Sequence, residues 1–241
     1  MTAEAPLVSC VIPVRDGARF LGEAIDSALG QSYRPIEVIV SDDGSRDRTP
    51  DIACAYGPSV TYVSGPAAGP PAARNRGLGA ARGELVAFLD ADDRWRAGKL
   101  ELQVARFARD PALALCLAQA QPLWAPELAE TRLRVARDRL VVVVTACLLS
   151  TAVVRRTLFD TVGAFDETRP LGDDTDWFQR AIAAGVSVEI LPDVLVERRI
   201  HPDSLTHGTN VVSRARLLAH VRGLVDGRRA TRECRSGGHR D

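Results

Sequence analysis

Ile36-Glu37-Val38-Ile39-Val40-Ser41-Asp42-Asp43-Gly44-Ser45 is a β-branched run that ends in two adjacent carboxylates and a Gly-Ser turn. Such a run reads as a buried strand. The same pattern stands on both sides of it. Val8-Ser9-Cys10-Val11-Ile12-Pro13-Val14 is followed by Asp16-Gly17, and Leu85-Val86-Ala87-Phe88-Leu89 by Asp90-Ala91-Asp92-Asp93. Helical spacing fills the intervals. Phe20, Leu21, Ala24, Ile25, Ala28 and Leu29 share a face that closes at Gly30, and Asp47 or Thr49 caps a helix through Tyr56, with Pro50 in its first turn. Val60 to Val63 is a third short strand, Ser64 to Pro71 a Gly/Pro loop, and Ala72 to Ala81 a helix. This alternation predicts an α/β fold, with a mostly parallel twisted sheet and helices on both faces. Ligands of such sheets bind beyond the carboxyl ends of the strands. Asp16, the Asp42 cluster and the Asp90 cluster should therefore converge on one edge. Carboxylates at the ends of buried strands are costly unless they bind something.

The second half is less regular. Gly98 to Arg109 reads as a helix stopped by Asp110-Pro111, Ala112 to Ala120 as a strand, and Gln121 to Arg139 as a loop and helix of mixed polarity. Val141 to Thr151 is strand-like, and Val153 to Val162 reads as a short helix. A third acidic cluster, Gly172-Asp173-Asp174-Thr175-Asp176, precedes a helix over Asp176 to Ala184 and a strand over Val186 to Ile190. Val211 to Arg229 places Leu217, Leu218, Val221, Leu224 and Val225 on one helical face, with arginines elsewhere. That narrow face suits packing on its own domain or on a partner subunit, as in a homodimer, better than a membrane surface, where a basic amphipathic helix could also lie. The polar tail from Thr231 is expected to be disordered.

Composition excludes several classes. The chain has 241 residues, 46% hydrophobic, with Lys+Arg 31 balancing Asp+Glu 31. A formal net charge of +0 argues against a nucleic-acid partner. Five scattered cysteines, Cys10, Cys54, Cys116, Cys147 and Cys234, form no CxxC pair and favour free thiols in a reducing compartment. Neither a signal peptide nor a run of transmembrane length is read, so a cytoplasmic location is expected, with the inner membrane face as an alternative.

Taken in order, Val11-Ile12-Pro13, Gln31-Ser32-Tyr33, Asp42-Asp43-Gly44-Ser45, Ala73-Arg74-Asn75-Arg76-Gly77, Leu89-Asp90-Ala91-Asp92-Asp93, Val162-Gly163-Ala164-Phe165-Asp166-Glu167 and Asp173-Asp174-Thr175-Asp176-Trp177 resemble family 2 glycosyltransferases of the GT-A fold. The resemblance covers residues 7–207. It implies a glycosyltransferase domain over 1–207, with a Rossmann-like nucleotide-sugar half at 7–97 and an acceptor half carrying the catalytic base at 98–207. A C-terminal helix at 208–230 and a tail at 231–241 complete the chain. By resemblance, Pro13, Val14 and Asp16 lie against the nucleotide, Asp42 binds its base, and Arg74 reaches the base or the diphosphate. Asp90 and Asp92 are the DxD pair, binding ribose and a Mn²⁺ or Mg²⁺ ion, with Asp93 and His201 as further metal ligands. Asp174 is the catalytic base, and direct displacement by one base inverts the anomeric centre. The donor implied is a UDP-sugar first, with dTDP- or GDP-sugars as alternatives, and the acceptor is a hydroxyl of a glycan, a lipid-linked precursor or a small molecule. Two departures stand out. Val14, Arg15 and Asp16 replace the family's frequent aromatic and Asn, and Asp173-Asp174 replaces its usual Glu-Asp.

Plainer readings exist for each motif. Asp42-Asp43-Gly44-Ser45 could be a turn alone, and the Asp90 and Asp174 clusters could be helix caps. His201 could be structural. Trp177, beside the expected base, is the best aromatic candidate for a sugar-binding wall, although tryptophans more often pack in cores. Two other functions compete with glycosyl transfer. A nucleotidyltransferase making activated sugars would need a Gly-rich basic loop that Val11 to Gly17 lacks, and a non-catalytic sugar-nucleotide binder would have no use for Asp92, Asp93 and Asp174.

Overall fold

The computed structural model describes residues 5–130, 144–145, 148–169 and 171–202. The helix expected at 208–230, the tail at 231–241, Cys147 and Cys234 lie outside the described residues, as does most of the segment 131–147. Nine strands among the described residues join one sheet: β1 (Val8–Val14), β2 (Ile36–Asp42), β3 (Thr61–Ser64), β4 (Leu85–Phe88), β5 (Arg94–Trp95), β6 (Leu113–Trp124), β7 (Val144–Thr145), β8 (Val153–Arg155) and β9 (Ser187–Ile200). The helices are α1 (Leu21–Leu29), α2 (Thr49–Cys54), α3 (Pro70–Ala80), α4 (Lys99–Arg109), α5 (Leu158–Val162) and α6 (Asp173–Ala183). The strand order is β3-β2-β1-β4-β8-β6-β9-β5, with β7 beside β6. The first four strands are parallel, as the alternation predicts. β8 enters antiparallel between β4 and β6, and the long β6–β9 pair is again parallel.

Alternation along β1 shows why the strand is apolar on both sides. Val8, Cys10, Ile12 and Val14 join one core with Leu21 and Ile25 of α1 and Leu100 and Val104 of α4. Val11 faces the other core, with Phe88, Phe159 of α5 and Trp177 and Phe178 of α6. Helices therefore cover both faces of the sheet. Gly77 lets α3 lie directly on β1, since a Cβ there would stand 2.4 Å from Val11 Cγ1.

The second half departs from the sequence reading in several places. β6 runs on to Trp124, where a loop is expected, because it stays paired with β9, and Leu149–Thr151 is a 3-10 turn and not strand. Val153–Arg155 is a strand and not the start of a helix, because it pairs with both β4 and β6 and the helix waits until Leu158. β9 continues to Ile200 through Pro192-Asp193, which reads as a stop. Register shifts between Leu117 and Ala120 of β6 absorb the irregularity, so the ladder resumes at Val194. α6 begins at Asp173, which puts the acidic cluster inside its first turn, after a left-handed Gly172.

Lys99 is the sole lysine of the chain and is fully buried. Its Nζ sits 4.3 Å from the Trp95 ring centroid and has no hydrogen-bond partner among the described residues. Burial lowers its pKa to about 7 against weak opposition from the Cys10 and Cys116 thiols. Arginine could not shed its proton at this position. Because the folded-state pKa lies below the unfolded value, the charged amine costs stability at and below neutral pH, and the cost fades as pH rises toward 10. Lys99→Met should therefore melt higher than the parent at pH 7, with the gap narrowing at pH 9.5 in paired thermal melts. An equal gap at both values would contradict a charged, buried amine.

Candidate active site

Register brings the strand ends together. Pro13 pairs with Ser41 and Val14 with Asp42, and Val11 pairs with Phe88, so the residues after β1, β2 and β4 leave the sheet on one edge. Asp16 adopts a left-handed conformation (φ 49°), which is strained for a residue with a Cβ. The loop after β2 holds it there. Asp16 N–H donates to Ser45 Oγ, Gly17 N–H to Thr49 Oγ1 and Ala18 N–H to Asp47 Oδ2, while Asp16 Oδ1 accepts from Arg46 N–H at 2.7 Å.

The pair after β2 is buried and well satisfied. Asp42 accepts from Ser45 N–H at Oδ1 and from the Tyr62 hydroxyl at Oδ2. Burial, and then this bond, push the Tyr62 pKa up to about 12. Asp43 accepts from Ala68 and Gly69 N–H just ahead of α3, and Val14 O accepts from Asp43 N–H. Pro13 and Val14 are buried in the strand.

The turn after β4 divides its carboxylates. The Asp90 and Asp92 side chains are 38% and 34% exposed, whereas Asp93 is buried. Asp93 Oδ1 accepts from Arg199 N–H at 3.0 Å and Oδ2 from Ser150 Oγ at 2.9 Å. Burial and the neighbouring charges of Asp92 and Asp90 raise its pKa well above the carboxylate range. His201 Nε2 lies 3.1 Å from Asp92 Oδ2, and its ring tilts against Phe20 at 5.0 Å. Asp92 and His201 are thus the adjacent pair of metal-ligating type on this edge.

Arg74, on α3, joins the second acidic cluster to the third. Nη2 reaches Asp90 Oδ1 at 3.2 Å and Nη1 reaches Asp173 Oδ2 at 2.5 Å, with the guanidinium 5.9 Å from the Phe165 ring centroid. Burial opposes its charge, but Asp90, Asp173 and Asp174 outweigh burial and raise its pKa. Asp174 lies beside this bridge in the first turn of α6, buried, with Oδ1 accepting from Thr175 N–H. Trp177, the expected sugar wall, is instead fully buried. Its indole stacks on Phe159 at 5.0 Å and donates to Gly163 O, so it belongs to the core. Arg74, expected at the nucleotide, has its Nη1 and Nη2 bound to carboxylates. Sequence reasoning missed Ser150 as a neighbour of the site, and gave Asp173 and Arg199 no role of their own. A small polar residue inside the apolar run Leu148–Val154 was the available signal for Ser150.

The model of glycosyl transferase family 2 matches residues 9–145. The chain belongs to that family. This glycosyltransferase is 31% identical over 214 residues to an uncharacterized glycosyltransferase of Rickettsia typhi, covering 84% of this chain and 67% of the relative. It is 38% identical over 109 residues to the putative teichuronic acid biosynthesis glycosyltransferase TuaG of Bacillus subtilis, 43% of each chain. S. aureus TarS in complex with UDP shares the fold at a TM-score of 0.65 and 20% identity, over 81% of this chain and 61% of that one. The mannosyltransferase PcManGT of Pyrobaculum calidifontis, in complex with GDP-Man and Mn²⁺, does so at 0.63 and 24%, over 85% and 60%. The glycosyltransferase thus spans about three fifths of those solved chains. Among its described residues no helix is long and apolar enough to cross a membrane.

Removing one partner of a buried ion pair leaves an uncompensated charge and costs about 3–5 kcal/mol. Arg74→Met should destabilise the enzyme on that order in urea unfolding. Adding Asp173→Asn should recover part of the loss, and simple additivity of the two changes would contradict the bridge.

Proposed function

We propose that the enzyme transfers a sugar from a nucleoside-diphosphate sugar to an acceptor hydroxyl with inversion, aided by a divalent metal. The observation that carries this reading is the Arg74 bridge, which holds the Asp90 turn and the start of α6 in one site. One cluster faces the donor and the other the acceptor.

The donor set suits a hard cation. Asp92 offers carboxylate oxygen and His201 an imidazole nitrogen, a combination Mn²⁺ accepts and Mg²⁺ tolerates less well. Among the described residues no group of three or more His, Cys, Asp and Glu could hold an ion by itself. Such ions are characteristically held by one or two carboxylates together with substrate phosphates. In this reading Asp92 and His201 hold the ion jointly with the diphosphate, Asp90 binds the ribose, and Asp93 supports the turn from behind. When bound, the cation supplies charge stabilisation to the departing diphosphate. Asp174 accepts the proton of the acceptor hydroxyl as that oxygen bonds to the anomeric carbon and the bond to the diphosphate breaks. Asp173 keeps Arg74 in place beside it. UDP is the first donor nucleotide in this reading, with dTDP and GDP as alternatives; the bound UDP of TarS and GDP-Man of PcManGT support a nucleoside-diphosphate sugar, and the name of TuaG favours a surface glycan precursor as acceptor. A cytoplasmic location, or the inner membrane face, suits such an acceptor in this reading.

Calorimetry with UDP, dTDP and GDP, each with and without Mn²⁺, tests the donor reading, since metal-dependent binding of at least one is expected. Asp92→Asn should weaken that binding about 10-fold or more. Asp174→Asn should leave it intact while donor turnover, followed as released nucleoside diphosphate, falls by roughly 10²-fold or more. Wild-type turnover by Asp174→Asn would remove Asp174 as the base.

A further inference from the structure

Ser150 lies on a 3-10 turn, Leu149–Thr151, between β7 and β8, far in sequence from each acidic cluster. It is fully buried. Its hydroxyl accepts from Asp90 N–H at 3.1 Å and donates to Asp93 Oδ2 at 2.9 Å. An amide nitrogen can only donate, so the hydroxyl oxygen accepts from Asp90 and its own proton is free to go to Asp93. The backbone of the same residue is pinned as well, since Ser150 O accepts from the Trp95 indole at 2.9 Å. Next to it, Thr151 O accepts from Gln103 of α4, also at 2.9 Å. One residue thus ties down the first residue of the acidic turn, its last carboxylate and the strand that follows.

The consequences reach the exposed pair. Asp93 is one of three carboxylates within four residues, and in the interior both of its oxygens are met by protein donors, Ser150 Oγ and Arg199 N–H. The Arg199 bond fixes the end of β9. Arg199 then donates from Nε to Asp92 O at 2.9 Å and from Nη2 to Glu23 at 2.7 Å, and its guanidinium sits 4.3 Å from the Phe20 ring centroid. His201, two residues on, is held between Phe20 and Asp92. The chain of contacts runs from Ser150 through Asp93 and Arg199 to the spacing of Asp92 and His201.

We infer that Ser150 is a positioning residue for the donor-side metal: its hydroxyl sets the acidic turn so that Asp92 and His201 meet one ion. This rests on the metal reading proposed above. It predicts a selective defect, because the Ser150 hydroxyl bonds to both ends of the turn that faces the ion. Polar groups behind metal ligands commonly set affinity by about 10–100-fold.

The test is calorimetry of UDP, GDP and dTDP binding to the full chain, with Mn²⁺ and with a chelator. In Ser150→Ala, the gain in affinity that Mn²⁺ confers should shrink about 10-fold or more, while binding in chelator falls by clearly less, through Asp90 alone. Ser150→Cys keeps the volume with a weak donor, and should show the same selective loss even where the alanine variant does not fold. A thermal melt of each variant runs alongside. Lower melting with an unchanged Mn²⁺ gain, or equal losses with metal and with chelator, would overturn the inference by making Ser150 merely structural. If the wild-type enzyme shows no Mn²⁺ gain with UDP, GDP or dTDP, the metal reading itself falls and takes the inference with it.

Discussion

A single buried guanidinium holds this site together. Arg74 comes from α3, which Gly77 allows to press against β1, and its two terminal nitrogens meet a carboxylate after β4 and another at the start of α6. Those carboxylates are 83 residues apart in sequence, the separation of Asp90 and Asp173. Without the cation between them, three acidic side chains (Asp90, Asp173 and Asp174) would crowd one low-dielectric space, and their mutual repulsion would push α6 away or neutralise one of them. With it, the turn after β4 and the first turn of α6 share a fixed spacing. A bridging arginine suits that task because its fork is planar and permanently charged.

The acidic residues are therefore of two kinds, though sequence presents them alike. Asp42, Asp43 and Asp93 are buried and accept hydrogen bonds at both oxygens, so they shape the loops after β2 and β4. Asp90 and Asp92 keep a third or more of their side chains exposed on the same edge. The buried set makes the exposed set possible, since a loop carrying so much negative charge holds its shape only when most backbone and side-chain valences are spoken for.

Much of this was legible in the chain. β-Branched runs ending in carboxylates located β1, β2 and β4 and the edge where their residues meet, because strand polarity and sheet parallelism are local consequences of pattern. Ordered motifs then named the family. What escaped was set by distant pairing. Val153–Arg155 is a strand only because β4 and β6 flank it, and β9 passes through Pro192-Asp193 only because β6 shifts register. Trp177 looked available for a sugar because it follows Asp174 closely, yet the helix starts at Asp173 and turns the indole into the core. Ser150 carries no motif. Its position next to Asp90 and Asp93 follows from the fold alone.

The proposed metal position is open to direct observation. Crystals of the enzyme grown with Mn²⁺ and the better-bound of UDP and GDP would give a manganese anomalous peak. The predicted peak lies between Asp92 and His201, within coordination distance of both and of the diphosphate oxygens, on the Asp90 side of the Arg74 bridge. A peak elsewhere, or a well-ordered nucleoside diphosphate on this edge with no manganese beside Asp92, would contradict the proposed division of the acidic residues.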